Sequence, residues 1–401
     1  MKIGYINNAY YPTLLAGSER SVQVLAEAIT TMGHSAAVLT FSPNEVYEEA
    51  EVNGINVTYI AHKNVYSPRQ KPSNPLRRVV WHLIDSYNIW TKSDVRRWLE
   101  KEKPDLLHTN ILGGISVAAW DAAREAGVPV VHTLREYYLQ CRLMSLNRKG
   151  HECEGICAFC QVCAVPRKAR SSVPSAVVGI SRHVLDSHLN AGFFPGVPHR
   201  KVIFNSIAMK EVSNLPAPSH RLRLGFIGRI ESLKGIDFLL EALESLPKDK
   251  YELYIAGEGK TPYMSKNEGR DFGMPIHWLG FVPPEKLFPL IDLLVVPSLW
   301  QEPFGRVIAE AYTHGLPVIA SRVGGIPEIV DEGVTGFLFD PFTPGDFQQK
   351  LSPLTTKQLQ EMRPACLKKV TEFEPATIGR QYLELYLDVL GPKRNEVLPQ
   401  S

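Results

Sequence analysis

The sequence predicts an α/β protein of two doubly wound, Rossmann-like domains facing each other across a cleft. Three observations predict it. Short apolar runs alternate with segments of helical periodicity from Ile3 onward. The alternation restarts after a proline-rich polar connector, Asn214 to His220. A chain of 401 residues with 44% hydrophobic content is also long enough for two ordinary domains. The expected division is 1–213, a linker 214–220, a second domain 221–375, and a C-terminal helix with tail, 376–401, that packs back on the first domain.

Taken in order, Ile3 to Ile6 reads as a strand, the loop with Gly17 leads into a helix from Ser21 to Met32, and Gly33 ends that helix before a strand at Ala36 to Thr40. Further strands are expected at Asp105 to His108, Val128 to Thr133, Ala176 to Ile180 and Val202 to Phe204. Helices are expected at Ile115 to Ala126 and Arg182 to Ala191. In the second half the series is strand Arg223 to Ile227, helix Gly235 to Ser245, strands Glu252 to Ala256 and Ile276 to Leu279, and helix Pro284 to Pro289. Strand Ile291 to Pro297, a helix bearing Glu310, strand Pro317 to Ala320 and a short helix after Gly324-Gly325 complete it.

Composition narrows the function. Lys+Arg 44 against Asp+Glu 42 leaves no excess charge of the kind that binds nucleic acid. Polar residues arrive at Asn7 and Asn8, too early for a signal peptide, and no apolar run approaches the ~18 residues a membrane span needs, so a cytoplasmic location is expected. Four of the six cysteines fall between Cys153 and Cys163, inside an insertion at about 141–170. In a reducing compartment such crowding suggests a metal site more than a disulfide framework.

The most informative stretch is Gln301-Glu302-Pro303-Phe304-Gly305-Arg306-Val307-Ile308-Ala309-Glu310. It follows a nearly continuous apolar strand of the kind buried on both faces, at the sheet edge where α/β folds bind ligands. Read on one helix, the two carboxylates stand roughly 12 Å apart at ~1.5 Å per residue, and bracket an elongated, hydroxyl-rich ligand. Amides near Gly305 attract phosphate. Upstream, Gly228-Arg229-Ile230-Glu231-Ser232-Leu233-Lys234-Gly235 places two cations between the first strand and first helix of the second domain, where they neutralise a diphosphate.

With these motifs the chain resembles the retaining GT-B glycosyltransferases of family four, the glycosyl transferases group 1. The resemblance runs through Ala16-Gly17-Ser18-Glu19, Gly33-His34, Gly228-Arg229 with Lys234-Gly235, Ala256-Gly257-Glu258-Gly259 and Glu302 to Glu310. It continues through Gly324-Gly325-Ile326-Pro327-Glu328 and Gly333-Val334-Thr335-Gly336. It implies a UDP-sugar or GDP-sugar donor and a glycan or lipid-linked acceptor, in bacterial polysaccharide or glycoconjugate synthesis. By the resemblance Arg229 and Lys234 hold the diphosphate, Glu302 meets the sugar, and the backbone of Phe304, Gly305 and Arg306 approaches sugar and phosphate. Glu310 binds the ribose, Val282 abuts the base, Gly228 shapes the phosphate loop, and Gly17 lets the first domain's loop close over the phosphates.

Departures lie in the first domain. Relatives frequently carry His-x-His where this chain has His108-Thr109-Asn110, and Thr-Leu-His-Asp where it has Thr133-Leu134-Arg135-Glu136. His108 joins Arg229, Lys234 and Glu302 as a catalytic candidate, Asn110 and Arg135 are candidates on the acceptor or sugar side, and His132 is read as structural. The resemblance implies front-face transfer, in which the acceptor hydroxyl attacks on the side the nucleotide leaves and no carboxylate nucleophile is needed. With no Asp-x-Asp motif in the chain, transfer without a catalytic divalent metal is expected. A GT-B nucleotide-sugar epimerase or phosphorylase is the alternative enzyme.

Cys153, Cys157, Cys160 and Cys163 are read as a structural zinc site with Cys141 as an alternative ligand. Free or redox-active thiols and an iron–sulfur cluster remain open, the last with a radical enzyme as the remote alternative. Finally, Asn74 to Trp98 reads as a helix with Leu76, Val79, Val80, Leu83, Ile84, Tyr87 and Trp90 on one face. Arg77, Arg78, Lys92, Arg96, Arg97, Lys101 and Lys103 lie nearby, an arrangement suited to an anionic membrane surface or, alternatively, to packing on the first domain's core.

Overall fold

The computed structural model describes residues 1–13, 17–67, 74–148, 151–153, 155–209, 219–259 and 270–391. The chain divides into two compact units: Met1–Ser206 with Pro375–Ser401, and Ile207–Glu374. Most of the expected linker, 214–218, lies outside the described residues.

In the first unit the strands are β1 (Lys2–Ile6), β2 (Ser35–Phe41), β3 (Glu48–Val52), β4 (Ile55–Ile60), β5 (Leu106–Thr109), β6 (Val130–Leu134), a two-residue hairpin of β7 (Asn147–Arg148) and β8 (His151–Glu152), β9 (Ala176–Gly179) and β10 (His199–Val202). Eight of them form one sheet in the order β10-β9-β6-β5-β1-β2-β4-β3, parallel except where β3 meets β4. That edge hairpin was not expected from the sequence, because Glu48-Glu49-Ala50-Glu51 carries too much charge to resemble a strand. The charge protects an exposed sheet edge. The missed signal is Asn53-Gly54, both at positive φ (51° and 76°), the two-residue turn whose twist suits a hairpin. The strand expected at Val202 to Phe204 is found at His199–Val202.

The core of this unit joins Val22, Leu25, Ala26 and Ile29 of the helix Gly17–Thr31 to Ile378, Tyr382, Leu385 and Tyr386 of the helix Pro375–Leu390, with β1 and β2 beside them. The i, i+3, i+4, i+7 spacing of the first set brings one face of its helix to the sheet. The single helix expected from Asn74 to Trp98 is instead two, Pro75–Ser86 and Ile89–Glu102. Asn88 caps the second, its Oδ1 accepting from the amides of Trp90 (3.1 Å) and Thr91 (3.2 Å).

The second unit holds β11 (Leu222–Ile227), β12 (Tyr251–Ala256), β13 (Ile276–Gly280), β14 (Leu293–Val296), β15 (Val318–Ser321) and β16 (Gly336–Phe339), all parallel in the order β13-β12-β11-β14-β15-β16. Every residue of β14 is buried, as its unbroken Leu293-Leu294-Val295-Val296 run requires. Arg223 on β11 forks onto Asp292 just before β14, with Nε–Oδ2 at 2.9 Å and Nη2–Oδ1 at 2.8 Å. That pair pins the two strands between which the sheet order reverses. Loops leaving the carboxyl ends of strands at such a reversal frame a crevice.

Candidate functional site

The loops leaving β11 and β14 meet at that reversal. Gly235 has φ +74°, and a Cβ there would stand 1.7 Å from the carbonyl oxygen of Pro297. Only glycine lets the β11 loop lie this close to the β14 loop. A bond from the amide of Leu299 to the carbonyl of Leu233, 3.0 Å, stitches the loops together. Lys234 Nζ consequently meets the carboxylate of Glu302 directly, and lies 5.3 Å from the centre of the Trp300 ring. Ser298 Oγ donates to the same Glu302 oxygen at 3.1 Å. Glu302 is only 9% exposed.

A second close approach holds the Glu302 backbone. The amide of Gly325 donates to the Glu302 carbonyl (2.7 Å), that of Gly324 to Gln301 Oε1 (2.8 Å), and a Cβ on Gly324 would fall 2.2 Å from the Glu302 carbonyl oxygen. The Gly324-Gly325 motif therefore positions the acid.

Glu302 precedes the helix, which runs only from Arg306 to Tyr312, so the helical spacing expected between Glu302 and Glu310 does not apply. The seven-residue helix offers individual amides at Gly305 and Arg306 more than a strong dipole. Phe304 turns its ring into the core against Phe373, 5.7 Å between centres, leaving only its backbone toward a ligand. Glu310 is half-buried and takes Arg306 Nε at 2.9 Å. Arg229 is exposed and paired with Glu231 at 3.0 Å, while the Gly228 amide donates to the Ala256 carbonyl at 3.1 Å. Val282 is half-buried just past β13. Lys234, Glu302, Arg306 and Glu310 thus come from adjoining loops and one short helix, with Ser298 and Trp300 as partners that no motif had marked.

In the first unit, the comparable reversal between β1 and β5 gathers Asn7, Asn110, Arg135 and Asn205. Arg135 Nε donates to Asn110 Oδ1 at 2.8 Å and its Nη1 to Asn205 Oδ1, while Asn7 Oδ1 accepts the Ile111 amide at 3.2 Å. The next residue, Glu136, is half-buried, and desolvation pushes its carboxyl up to about 8 although the Tyr138 amide and Arg167 oppose the shift. Gly17 opens its helix, and its carbonyl accepts from Ser21 Oγ at 3.0 Å; Ala16 lies outside the described residues.

His108 must be withdrawn as a catalytic candidate. It is wholly buried, with Nδ1 2.7 Å from the Tyr386 hydroxyl and Nε2 2.7 Å from Thr133 Oγ1. Burial holds its pKa well below the ordinary histidine value, Arg135 and His132 adding to the effect. A fully bonded, neutral imidazole inside the sheet moves no substrate proton. His132 is likewise buried, 2.9 Å from Thr109 Oγ1.

The apolar stripe on Pro75–Ser86 is outward: Leu76, Val79, Val80 and Leu83 are exposed while Trp81 and Asp85 face inward. Trp90 belongs to the next helix. Much of the expected basic segment is neutralised, Lys92 by Glu125, Arg96 by Glu100, Arg97 by Asp94 and Lys101 by Glu49.

In the cysteine insertion, Cys163 is buried with no exposure and does not line the cavity shared by Cys141, Cys153, Cys157 and Cys160. Among the described residues no group of three or more histidine, cysteine or acidic side chains is already set to hold a metal ion.

Known proteins give this geometry a context. Residues 221–357 match the model of the glycosyl transferases group 1, and residues 16–187 that of the glycosyl transferase 4-like domain. An uncharacterised 42.6 kDa protein in the cps region of Klebsiella pneumoniae is 35% identical over 331 residues, covering 82% of this chain and 87% of that one. Among solved structures, sucrose-phosphate synthase from Thermosynechococcus elongatus superposes with a TM-score of 0.74 at 18% identity, covering 96% of this chain and 98% of the other. Anabaena HepE, in complex with UDP and glucose, gives 0.68 at 21% identity, with 96% and 99% covered.

Proposed function

Since the chain belongs to the glycosyl transferases group 1 and is a glycosyltransferase of the GT-B type, we propose that it transfers a sugar from a uridine diphosphate sugar, with retention and without a catalytic metal. The observation that carries this reading is the Lys234–Glu302 contact at the strand-order reversal, with Arg306–Glu310 one helix start away. In this reading Lys234 and Arg229 face the diphosphate, the amides of Gly305 and Arg306 add donors, Glu302 accepts from sugar hydroxyls and Glu310 from the ribose. Negative charge grows on the leaving diphosphate, and cations already fixed in place stabilise it without reorganisation. The phosphate oxygen takes the acceptor's proton, so no protein base is needed. The UDP and glucose held by Anabaena HepE support the donor class.

The acceptor in this proposal is a glycan or lipid-linked saccharide of bacterial surface polysaccharide synthesis, supported by the cps-region relative. No described helix is long and apolar enough to cross a membrane. The exposed Leu76, Val79, Val80 and Leu83 instead rest on the inner membrane surface, so that binding draws on apolar insertion more than on the paired basic residues.

The test incubates the enzyme with UDP- and GDP-sugars and lipid-linked acceptor extract, with and without chelator, and reads released nucleoside diphosphate and the anomeric configuration of the product. Turnover with a UDP-sugar, unaffected by chelator and retaining configuration, is expected. Inversion, or loss of activity restored by a divalent ion, overturns the mechanism, and turnover with GDP-sugars alone overturns the donor.

A further inference from the structure

Beside the helix Pro75–Ser86 the cysteine insertion encloses a cavity of about 350 Å³ whose lining includes Cys141, Cys153, Cys157 and Cys160 together with Arg78, Arg142 and Arg148. Four of the five insertion cysteines thus face one space, drawn from three separate places: the turn after β6, the exit of the β7–β8 hairpin, and the start of the helix Ala158–Arg170. We propose that Cys141, Cys153, Cys157 and Cys160 bind one zinc-type divalent cation as a four-thiolate site, with Cys163 excluded.

Three features support this set. The thiols of Cys141 and Cys160 hydrogen-bond each other, and Cys160 also bonds Cys157, so Cys160 stands between two of the other sulfurs. The Cys141 sulfur receives the amide of Leu143 at 3.4 Å, with the amides of Ser145 and Leu146 also directed at it. Finally, four thiolates around a dication carry a net charge of −2, which the three arginines of the same cavity offset. Cys157-x-x-Cys160 also has the close spacing of structural zinc sites.

Because no three of these sulfurs are yet gathered at coordination distance, metal uptake has to bring the four together, Cys153 moving in from the half-buried hairpin exit. The consequence reaches the acceptor side. Arg167, on the same helix as Cys160, is fully buried, 3.2 Å from the equally buried Asp85 of Pro75–Ser86, and stacks 3.8 Å from the Tyr138 ring centre. A metal that fixes the start of Ala158–Arg170 therefore fixes the exposed helix too.

The full chain, purified anaerobically and stripped of metal under reducing conditions, is titrated with Co²⁺. One equivalent should give thiolate-to-cobalt charge-transfer and tetrahedral d–d bands that Zn²⁺ abolishes. X-ray absorption of the zinc form should find four sulfurs at ~2.3 Å. Affinity should fall more than about tenfold, the loss seen even when an outer partner is removed, in Cys141→Ser, Cys153→Ser, Cys157→Ser and Cys160→Ser, and stay unchanged in Cys163→Ser. Fewer than four sulfurs in the wild-type spectrum overturns the site whatever the variants do. So does an absent cobalt spectrum, a tight site retained in Cys141→Ser, loss in Cys163→Ser, or iron–sulfur absorption in the purified protein.

Discussion

Glu310→Ala should weaken affinity for free UDP and Glu302→Ala should not. Arg306 occupies one oxygen of Glu310 at 2.9 Å, leaving the rest of the carboxylate for ribose hydroxyls. A hydrogen bond to a charged acceptor contributes about 1.5–3 kcal/mol, and partial exposure argues for one such increment in all. At 1.4 kcal/mol per decade, Glu310→Ala should weaken UDP roughly 10- to 150-fold. The lost i,i+4 pair is worth only about 0.3–0.5 kcal/mol, so stability should barely move. Glu302 has the opposite electrostatic effect, because its carboxylate neutralises Lys234 where the diphosphate is to lie. Removing it frees that cation, so UDP affinity should hold or rise while use of the sugar donor collapses. Isothermal calorimetry with UDP, followed by turnover with the active donor, separates the roles. Equal losses of UDP affinity in the two variants would refute the division, and a larger loss in Glu302→Ala would reverse it.

Three further outcomes are expected. Lys234→Ala should lower turnover about 10²- to 10³-fold, the effect of deleting one preorganised donor, with an unchanged melting profile; near-normal release of nucleoside diphosphate would remove Lys234 from the mechanism. Stability should fall as the pH drops through about 6.5, because the buried His108, His132 and His188, the latter two held down to about 3 and about 4 by burial, cannot take up the protons their unfolded forms accept, despite the opposing effect of Asp85, raised by desolvation to about 6. Glu136, raised to about 8, keeps a proton its unfolded form has lost and gives it up toward pH 8, so urea midpoints of Glu136→Gln should rise relative to wild type between pH 6 and 8; identical pH profiles would contradict this. Wild type should sediment with anionic vesicles and Val79→Glu/Leu83→Glu should not, whereas reversal of the paired Arg96 and Arg97 should matter little; failure of the wild type to pellet removes the membrane from the proposal.

The second unit was the more legible because its signals are local. The β14 run, Gly305 and the Lys234-Gly235 pair each act within a few residues, and parallel pairing then carries them to one edge. What escaped was set at long range. His108 resembles a cleft residue until Tyr386, 278 positions later, closes over it. The apolar stripe of Pro75–Ser86 resembles a core face, but Trp81 and Asp85 supply the inward side, Asp85 meeting a buried arginine from a distant insertion. Cysteine spacing alone could not show that Cys141 lines one cavity with Cys153, Cys157 and Cys160.

The helix Pro375–Leu390 makes the first unit discontinuous in sequence, and this bears on synthesis at the ribosome. After Ser206 emerges, the whole second unit must be translated before Tyr382 and Tyr386 exist, on the order of ten to thirty seconds at ~5–20 residues per second. During that interval the hydroxyl of Thr133 and Nδ1 of His108 lack their tyrosine partners, beside apolar side chains that nothing yet covers. The second unit can mature on schedule while the first waits, so the nascent chain presents its larger sheet to chaperones until the last helix arrives. Reporter fusions or nonsense alleles ending before Pro375 should accordingly yield protein whose second unit is folded and whose first is cleared by proteolysis.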